Sequence, residues 1–193
     1  IISLDRRCRA SPLVSTDHAS GSGKVARHLV GLGHRRLAYL SGPQNTEVGR
    51  QRLEGFSGQI KALQVAHPDL VLTTRQGQFD YESGEQIAAA LLGLPAAERP
   101  TGIAAASDQM AIGVLRAARD LGLEVPGDVS VAGFDDLPLA SPPVPRLTTI
   151  AQPTQALSRE VVNQILQDGA AAGQDAYIEG ELIVRGSTGA PVG

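Results

Sequence analysis

A set of polar and aromatic side chains falls where loops leave predicted strands. Asp135-Asp136 follow a predicted strand over 129–133, and Ser107-Asp108 follow one over 102–106. Phe79 comes just after a strand region at 71–78, and Gln152 after a short extended piece at 147–150. Arg52 lies on the helix that follows the predicted strand 37–40. Together these are a carboxylate, an amide, a hydroxyl, a guanidinium and one aromatic ring. Such a set suits a polyhydroxylated or purine-like molecule: charged and amide groups fork onto hydroxyl pairs while a ring covers the flat apolar face. With no Trp, three Tyr and three Phe in the chain, Phe79 is the best-placed stacking residue. Each has a plainer reading as well. Ser107 or Asp108 caps the next helix, Asp136 serves a turn, Arg52 is solvated, Phe79 is core, and Gln152 pins the loop before Pro153.

The elements that must position them alternate between β and α. Apolar runs at 1–4, 14–16, 37–40, 71–74 (extending toward 76–78), 102–106, 129–133 and 177–184 read as strands. Helical periodicity covers 22–32, 47–65, 82–92, 108–121 and 154–172, with Gly33 and Gly122 placed to end the first and fourth helices. This alternation with short connections predicts an α/β fold built on a parallel sheet. In such sheets ligands sit beyond the carboxyl ends of the strands, where the residues above fall. The Pro-rich stretch 138–145 is the longest predicted loop.

Other motifs fall short of chemistry. Gly21-Ser22-Gly23-Lys24-Val25-Ala26 fits G-x-G-x-x-A, but the next strand ends Tyr39-Leu40-Ser41 without the carboxylate a ribose needs. It reads instead as a Gly-rich helix start packed close to a sheet. A P-loop is excluded because Val25 stands where Ser or Thr must follow the Lys. His18, His28, His34 and His67 lack metal-site spacing and read as capping or surface residues. No G-x-S-x-G elbow is present and Cys8 has no base nearby in sequence, so no enzyme, cofactor or metal site is expected. Cys8, alone, also excludes an internal disulfide framework.

Composition bounds the rest. Hydrophobic residues are 42% and charged residues 19%, enough for a packed core. The net charge of −3 and the lack of a basic stripe argue against direct nucleic-acid binding by these residues. No apolar run is long enough for a membrane helix, and the first residues carry charges rather than a signal-peptide core, so a cytoplasmic location is expected.

Longer stretches resemble a known family. HLVGLGHRRLAYLSGP (28–43), RLEGF (52–56), YESG (81–84), RPTGI (99–103), SDQMAIG (107–113), DLGLEVP (120–126), DVSVAGFDD (128–136), LTTIAQP (147–153) and LIVRGST (182–188) follow in order as in the LacI/GalR transcriptional regulators.

The resemblance implies a two-lobed, periplasmic-binding-protein-like fold with a parallel sheet in each lobe and the first lobe incomplete. Residues 1–46 would form part of the N-terminal lobe, 47–150 the C-terminal lobe, and 151–193 a crossover helix and terminal strand shared by both. It implies that Val48, Arg52, Phe79, Ser107, Asp135 and Gln152 contact a sugar or nucleoside-like effector, and that Asp17 is structural near the hinge. Ser107 departs from the family, where Asn is common, and offers a shorter reach. Val48 stands where some relatives carry a polar group. The resemblance further implies allosteric control of operator DNA by a helix-turn-helix that these residues lack. It also implies a homodimer with Ile112 at the interface. A solute-binding protein of a sugar transporter is the alternative reading.

Overall fold

A computed structural model describes residues 1–5, 7–8, 11–138, 146–166 and 174–192. Much of the predicted loop 138–145 and residues 167–172 of the predicted last helix lie outside them.

The first strands are Ser3–Leu4 (β1) and Leu13–Thr16 (β2), and the helix His18–Gly31 (α1) follows. Next come Arg36–Ser41 (β3), Glu47–Leu63 (α2), Val71–Gln76 (β4) and Tyr81–Leu92 (α3). Gly102–Ala105 (β5), Asp108–Asp120 (α4) and Ser130–Ala132 (β6) complete a run of βα units. The remaining elements are Thr149–Ala151 (β7), Thr154–Leu166 (α5), Ala176–Ile178 (β8) and Glu181–Ile183 (β9).

Two parallel sheets result. The larger has the order β4-β3-β5-β6, the smaller β1-β2-β8. The buried central strand β3 reads Arg-Leu-Ala-Tyr-Leu-Ser, with no alternation of polar and apolar residues, because helices cover both sides. Leu37 and Tyr39 point to one face, where Val25, Leu29, Phe56 and Ile60 of α1 and α2 meet them. Ala38 and Leu40 point to the other, packed by Ala88, Leu92, Met110 and Val114 of α3 and α4. The period of two along a strand makes this three-layer sandwich unavoidable once both sets are apolar.

Small residues bring the helices of each layer close. A Cβ on Gly55 would lie 2.2 Å from the Ala19 carbonyl oxygen, so α2 crosses α1 with backbones nearly touching. Gly84 and Gly113 do the same for α3 and α4, each with a backbone oxygen 2.3 Å from an added Cβ. Four helices begin with a side-chain cap: Asp17, Thr46, Asp80 and Ser107 accept from the backbone N–H of Ser20, Gly49, Ser83 and Met110.

Several expectations change. Helix α1 starts at His18 rather than 22, because Asp17 caps it and its first turn packs through small residues. Gly21-Ser22-Gly23 therefore lies inside a helix, with Gly21 against the Phe134 ring, and forms no phosphate-binding loop. The predicted strand 177–184 is two strands. β8 joins the small sheet, while β9 pairs antiparallel with β7. A boundary at residue 46 would split the larger sheet, since β3 is an interior strand there and α1 packs on α2. The chain passes between the sheets at Thr16–His18 instead. His18 and His34 are buried rather than on the surface. His34 bonds Thr101 Oγ1 at 3.0 Å and the Gly189 carbonyl at 2.9 Å, pinning the terminal segment beneath the larger sheet.

The close helix contacts set a paired stability test. Gly84→Ala is expected to destabilise by about 1–3 kcal/mol through overpacking, lowering Tm by several degrees in a thermal melt. Gly58→Ala, in open space on the exposed face of α2, is expected to raise stability by about 0.5–1 kcal/mol.

Candidate functional site

The larger sheet has its topological switch between β3 and β5, since the chain leaves β3 toward β4 on one side and returns to β5 on the other. The loops after these strands part there and open a crevice. A cleft of about 690 Å³ lies at this end. Val48, Arg52, Phe79, Ser107 and Asp135 line it, so five of the six residues expected to contact a ligand share one space. The smaller sheet contributes Asp5 and Arg7 to the lining, and the segment before α2 contributes Asn45 and Thr46.

Arg52 organises the inner wall and is only 4% exposed. Its Nη1 donates to the Ala106 carbonyl at 2.5 Å, its Nη2 to Asp135 Oδ1 at 2.9 Å, and its Nε to His18 Nδ1 at 3.3 Å. The guanidinium carbon stands 3.8 Å from the centre of the Phe134 ring and 5.8 Å from that of Phe79. Cation–π contact on a desolvated ring adds to the hydrogen bonds and fixes the plane of the fork. Arg52 is thus a strut whose donors serve the protein.

Asp135 presents the carboxylate. Its Oδ1 accepts from Arg52 and, at 2.7 Å, from Gln152 Nε2. Gln152 does not line the cleft. It stands behind Asp135 and accepts the Thr16 hydroxyl at 3.0 Å, tying the carboxylate to β2. Asp5 is held in parallel fashion: its Oδ1 accepts from the Ser15 hydroxyl at 2.9 Å and the Thr16 N–H at 3.2 Å. Burial raises the Asp5 pKa, but the adjacent His18, the Ser15 hydroxyl and the Thr16 N–H outweigh it and hold the carboxyl at about 2.

Backbone strain marks the same region. Asp5, Phe79, Asp135 and Asp136 have positive φ, and among the described residues they are the only non-glycines that do. Three of them line the cleft. Surrounding contacts hold such conformations, which gather at ligand-binding loops. Gly42 is part of that support, because a Cβ there would lie 2.0 Å from the Phe79 ring.

Ser107 is the cap of α4, accepting the Met110 N–H at 3.3 Å, and still lines the cleft. Asp108 does not cap. It is buried, accepting the Thr149 hydroxyl at 2.6 Å and the Leu137 N–H at 2.8 Å, and so fastens the loop after β6 to β7. Burial pushes its pKa up to about 6, with Asp135 and Asp136 adding to the rise. Asp136 pairs with Arg185 at 2.7 Å rather than serving a turn alone. Ile112 is half-buried on α4, outside the core cluster that Met110, Ala111 and Val114 build.

Asp5, Arg7, His18, Phe134, Gln109 and Leu137 were not singled out in the sequence. Asp5 obeys the rule that found Asp135, being the polar residue that directly follows a strand. No comparable pattern marks His18 or Phe134, whose roles depend on contacts with Arg52.

Two parallel sheets joined by several chain crossings carry, at their strand ends, a polar, aromatic-sided cleft of a size that suits a small molecule. Residues 26–188 match the description "periplasmic binding protein-like domain". The transcriptional regulator MalR of Streptomyces coelicolor is 35% identical over 191 residues, which cover 95% of this chain and 54% of that protein. A dimeric Lac repressor structure superposes with a TM-score of 0.85 at 31% identity, covering 99% of this chain and 69% of that one. A LacI family regulator from Enterococcus faecium, solved with bound ribose, superposes at 0.82 with 29% identity, covering 98% and 70%. The chain belongs to the LacI family of transcriptional regulators, of which it carries the periplasmic-binding-protein-like domain. It spans about half the length of the curated relatives it matches.

The Asp108 carboxyl sets a pH test. Its folded pKa lies above the unfolded value of 3.8, so the fold favours the protonated form. Stability from this group is complete below pH 4 and declines as pH rises through 6. The full change is about 3 kcal/mol. Urea denaturation from pH 4 to 7 is expected to show that decline in the wild type and a flatter profile in Asp108→Asn.

Proposed function

We propose that the cleft binds a small uncharged effector, a sugar or a nucleoside-like molecule, and that its occupancy controls a LacI-type regulator. One observation carries this reading. Asp135 is clamped on one oxygen by Arg52 and Gln152, which leaves its second oxygen to accept hydroxyl protons beside the Phe79 ring. Asp5, charged and tied in the same way from the smaller sheet, supplies a second acceptor. Paired acceptors with an apolar face favour a ligand rich in O–H donors. The ribose in the Enterococcus relative is a molecule of that kind.

The cleft takes residues from both sheets, so a bound molecule favours the arrangement in which both reach it. The resulting shift is limited by the ligand's differential affinity for the open and closed arrangements. That shift would be read out by a helix-turn-helix outside these residues acting on operator DNA, in a cytoplasmic homodimer whose interface includes Ile112. The relatives named above are regulators rather than enzymes or transporter components, which favours a sensor over catalysis and over a transport solute-binding role.

Differential scanning fluorimetry with D-ribose, maltose and cytidine tests the effector. A binder is expected to raise Tm by a few degrees near saturation, since a ligand at about 100 times its Kd adds about 2.7 kcal/mol. Asp135→Ala is expected to abolish the shift. No response to any of the three, or an undiminished one in Asp135→Ala, counts against the reading. Sedimentation velocity tests assembly. Ile112→Arg is expected to convert a wild-type dimer to monomer, and a variant that stays dimeric removes Ile112 from the interface.

A further inference from the structure

We propose that His18 is a positioning residue of the cleft: as a neutral ring it braces Arg52 on one side and faces Asp5 on the other, and a proton taken up by the ring breaks that brace. His18 opens α1 at the point where the chain passes from the smaller sheet to the larger. It is 1% exposed, so its two ring nitrogens meet only what the protein offers them.

Nδ1 is 3.3 Å from Arg52 Nε, and an arginine can only donate. Nδ1 must therefore carry the lone pair, which puts the ring proton on Nε2. That nitrogen is buried and, among the described residues, has no aligned hydrogen-bond partner, although the Asp5 carboxylate lies 3.4 Å away. The Phe134 ring fills the remaining side at 5.7 Å between centroids, tilted by 47°. The other two donor nitrogens of Arg52 point to Ala106 and Asp135, both on the larger sheet's side. His18 is thus the side chain through which Arg52 senses Asp5, and through which the two carboxylates of the cleft are spaced.

Protonation at Nδ1 removes the acceptor for Arg52 and sets an imidazolium against a guanidinium, both buried. Histidine is the side chain whose charge ordinarily changes between pH 5 and 8. The groups facing His18 are Asp5 from the end of β1, Arg52 from α2 with Asp135 behind it, and Asp17, its neighbour, whose carboxylate caps α1. Asp5, held at about 2, stays charged across that range. Asp108, with a carboxyl that titrates at about 6, is the competing source of any acid effect.

The binding part of this inference rests on the effector reading; the arrangement of the ring does not. Nitrogen-15 correlation spectra of the 193-residue chain, recorded from about pH 8 to about pH 5, report the ring directly. The expected result is an Nε2–H tautomer for His18 at the alkaline end, with the Arg52 Nε–H signal shifting together with the ring as it protonates. An Nδ1–H tautomer at neutral pH, or an Arg52 signal indifferent to the ring, overturns the proposal whether or not any effector is found. Calorimetry with whichever of D-ribose, maltose or cytidine binds then tests the consequence. Measured at pH 7.5 and pH 5.5, wild-type affinity is expected to fall about fivefold or more to the extent that the spectra show the ring protonated between them. His18→Asn, which offers an amide oxygen near the Nδ1 position and cannot titrate, is expected to bind within about threefold of wild type at pH 7.5 and to lose the acid dependence. His18→Leu is expected to bind about tenfold more weakly at both values. A His18→Asn profile identical to the wild type, with the dependence vanishing in Asp108→Asn instead, overturns the proposal, as does wild-type binding by His18→Leu.

Discussion

Every donor nitrogen of Arg52 is engaged inside the protein, and the cleft is built around that fact. A guanidinium buried to this degree is tolerable only if its nitrogens find acceptors and its charge finds a partner. The Ala106 carbonyl, the Asp135 carboxylate and His18 Nδ1 supply the acceptors, and the face of Phe134 supplies a contact for the plane. These partners come from the end of β5, the loop after β6 and the start of α1. Arg52 therefore converts three separate chain segments into one wall of fixed geometry. Among the described residues the network engages one oxygen of Asp135, through Arg52 and Gln152, and leaves the other without a partner.

The second dependence is on the chain crossings. Thr16, Asp17 and Gln152 lie side by side where the two sheets meet, joined by the Thr16–Gln152 hydrogen bond and by the Asp17 N–H to the Ile178 carbonyl at 2.8 Å. Motion of one sheet against the other must pass through these few residues. Asp5 enters the cleft from the smaller sheet and Asp135 from the larger, so the spacing of the two carboxylates follows the sheet arrangement. A ligand that bridges them acts on that arrangement in proportion to what it gains from the closer spacing.

Much of this was legible in the chain. Ser107 stands one residue before a helix and its capping chemistry is local, although Asp17, Thr46 and Asp80 cap in the same way and were not read as caps. The apolar β3 run declared a strand covered on both sides. Asp135, Ser107 and Phe79 could be picked out because a parallel sheet delivers its carboxyl-terminal loops to one end. Other features were hidden. The segment 177–184 looks like one strand, yet the chain passes from one sheet to another near Gly180, which packs against Ile150 and Ala151, a choice made by pairing with β2 and β7. Gly21-Ser22-Gly23 mimics a phosphate loop, but Gly21 is small because the Phe134 ring packs on it, and Gly23 faces the Gly55 carbonyl of α2. Gln152 looked like a residue of the cleft wall and instead stands behind Asp135, bonded to its carboxylate at 2.7 Å.

The amino-acid sequence by itself determined the alternation of elements, the starts of the helices after the first, the burial of both sheet faces and the strand ends that line the cleft. These depend on periodicity and on interactions within a few residues. The tertiary structure alone decided that β3 belongs with the strands after it and that Arg52 faces inward. It also decided that His18, with a single residue type and no spacing to mark it, stands between that arginine and Asp5. Long-range packing chooses among partners that are equally permitted locally, and a buried charge favours the arrangement in which each of its nitrogens has an acceptor and its charge a partner.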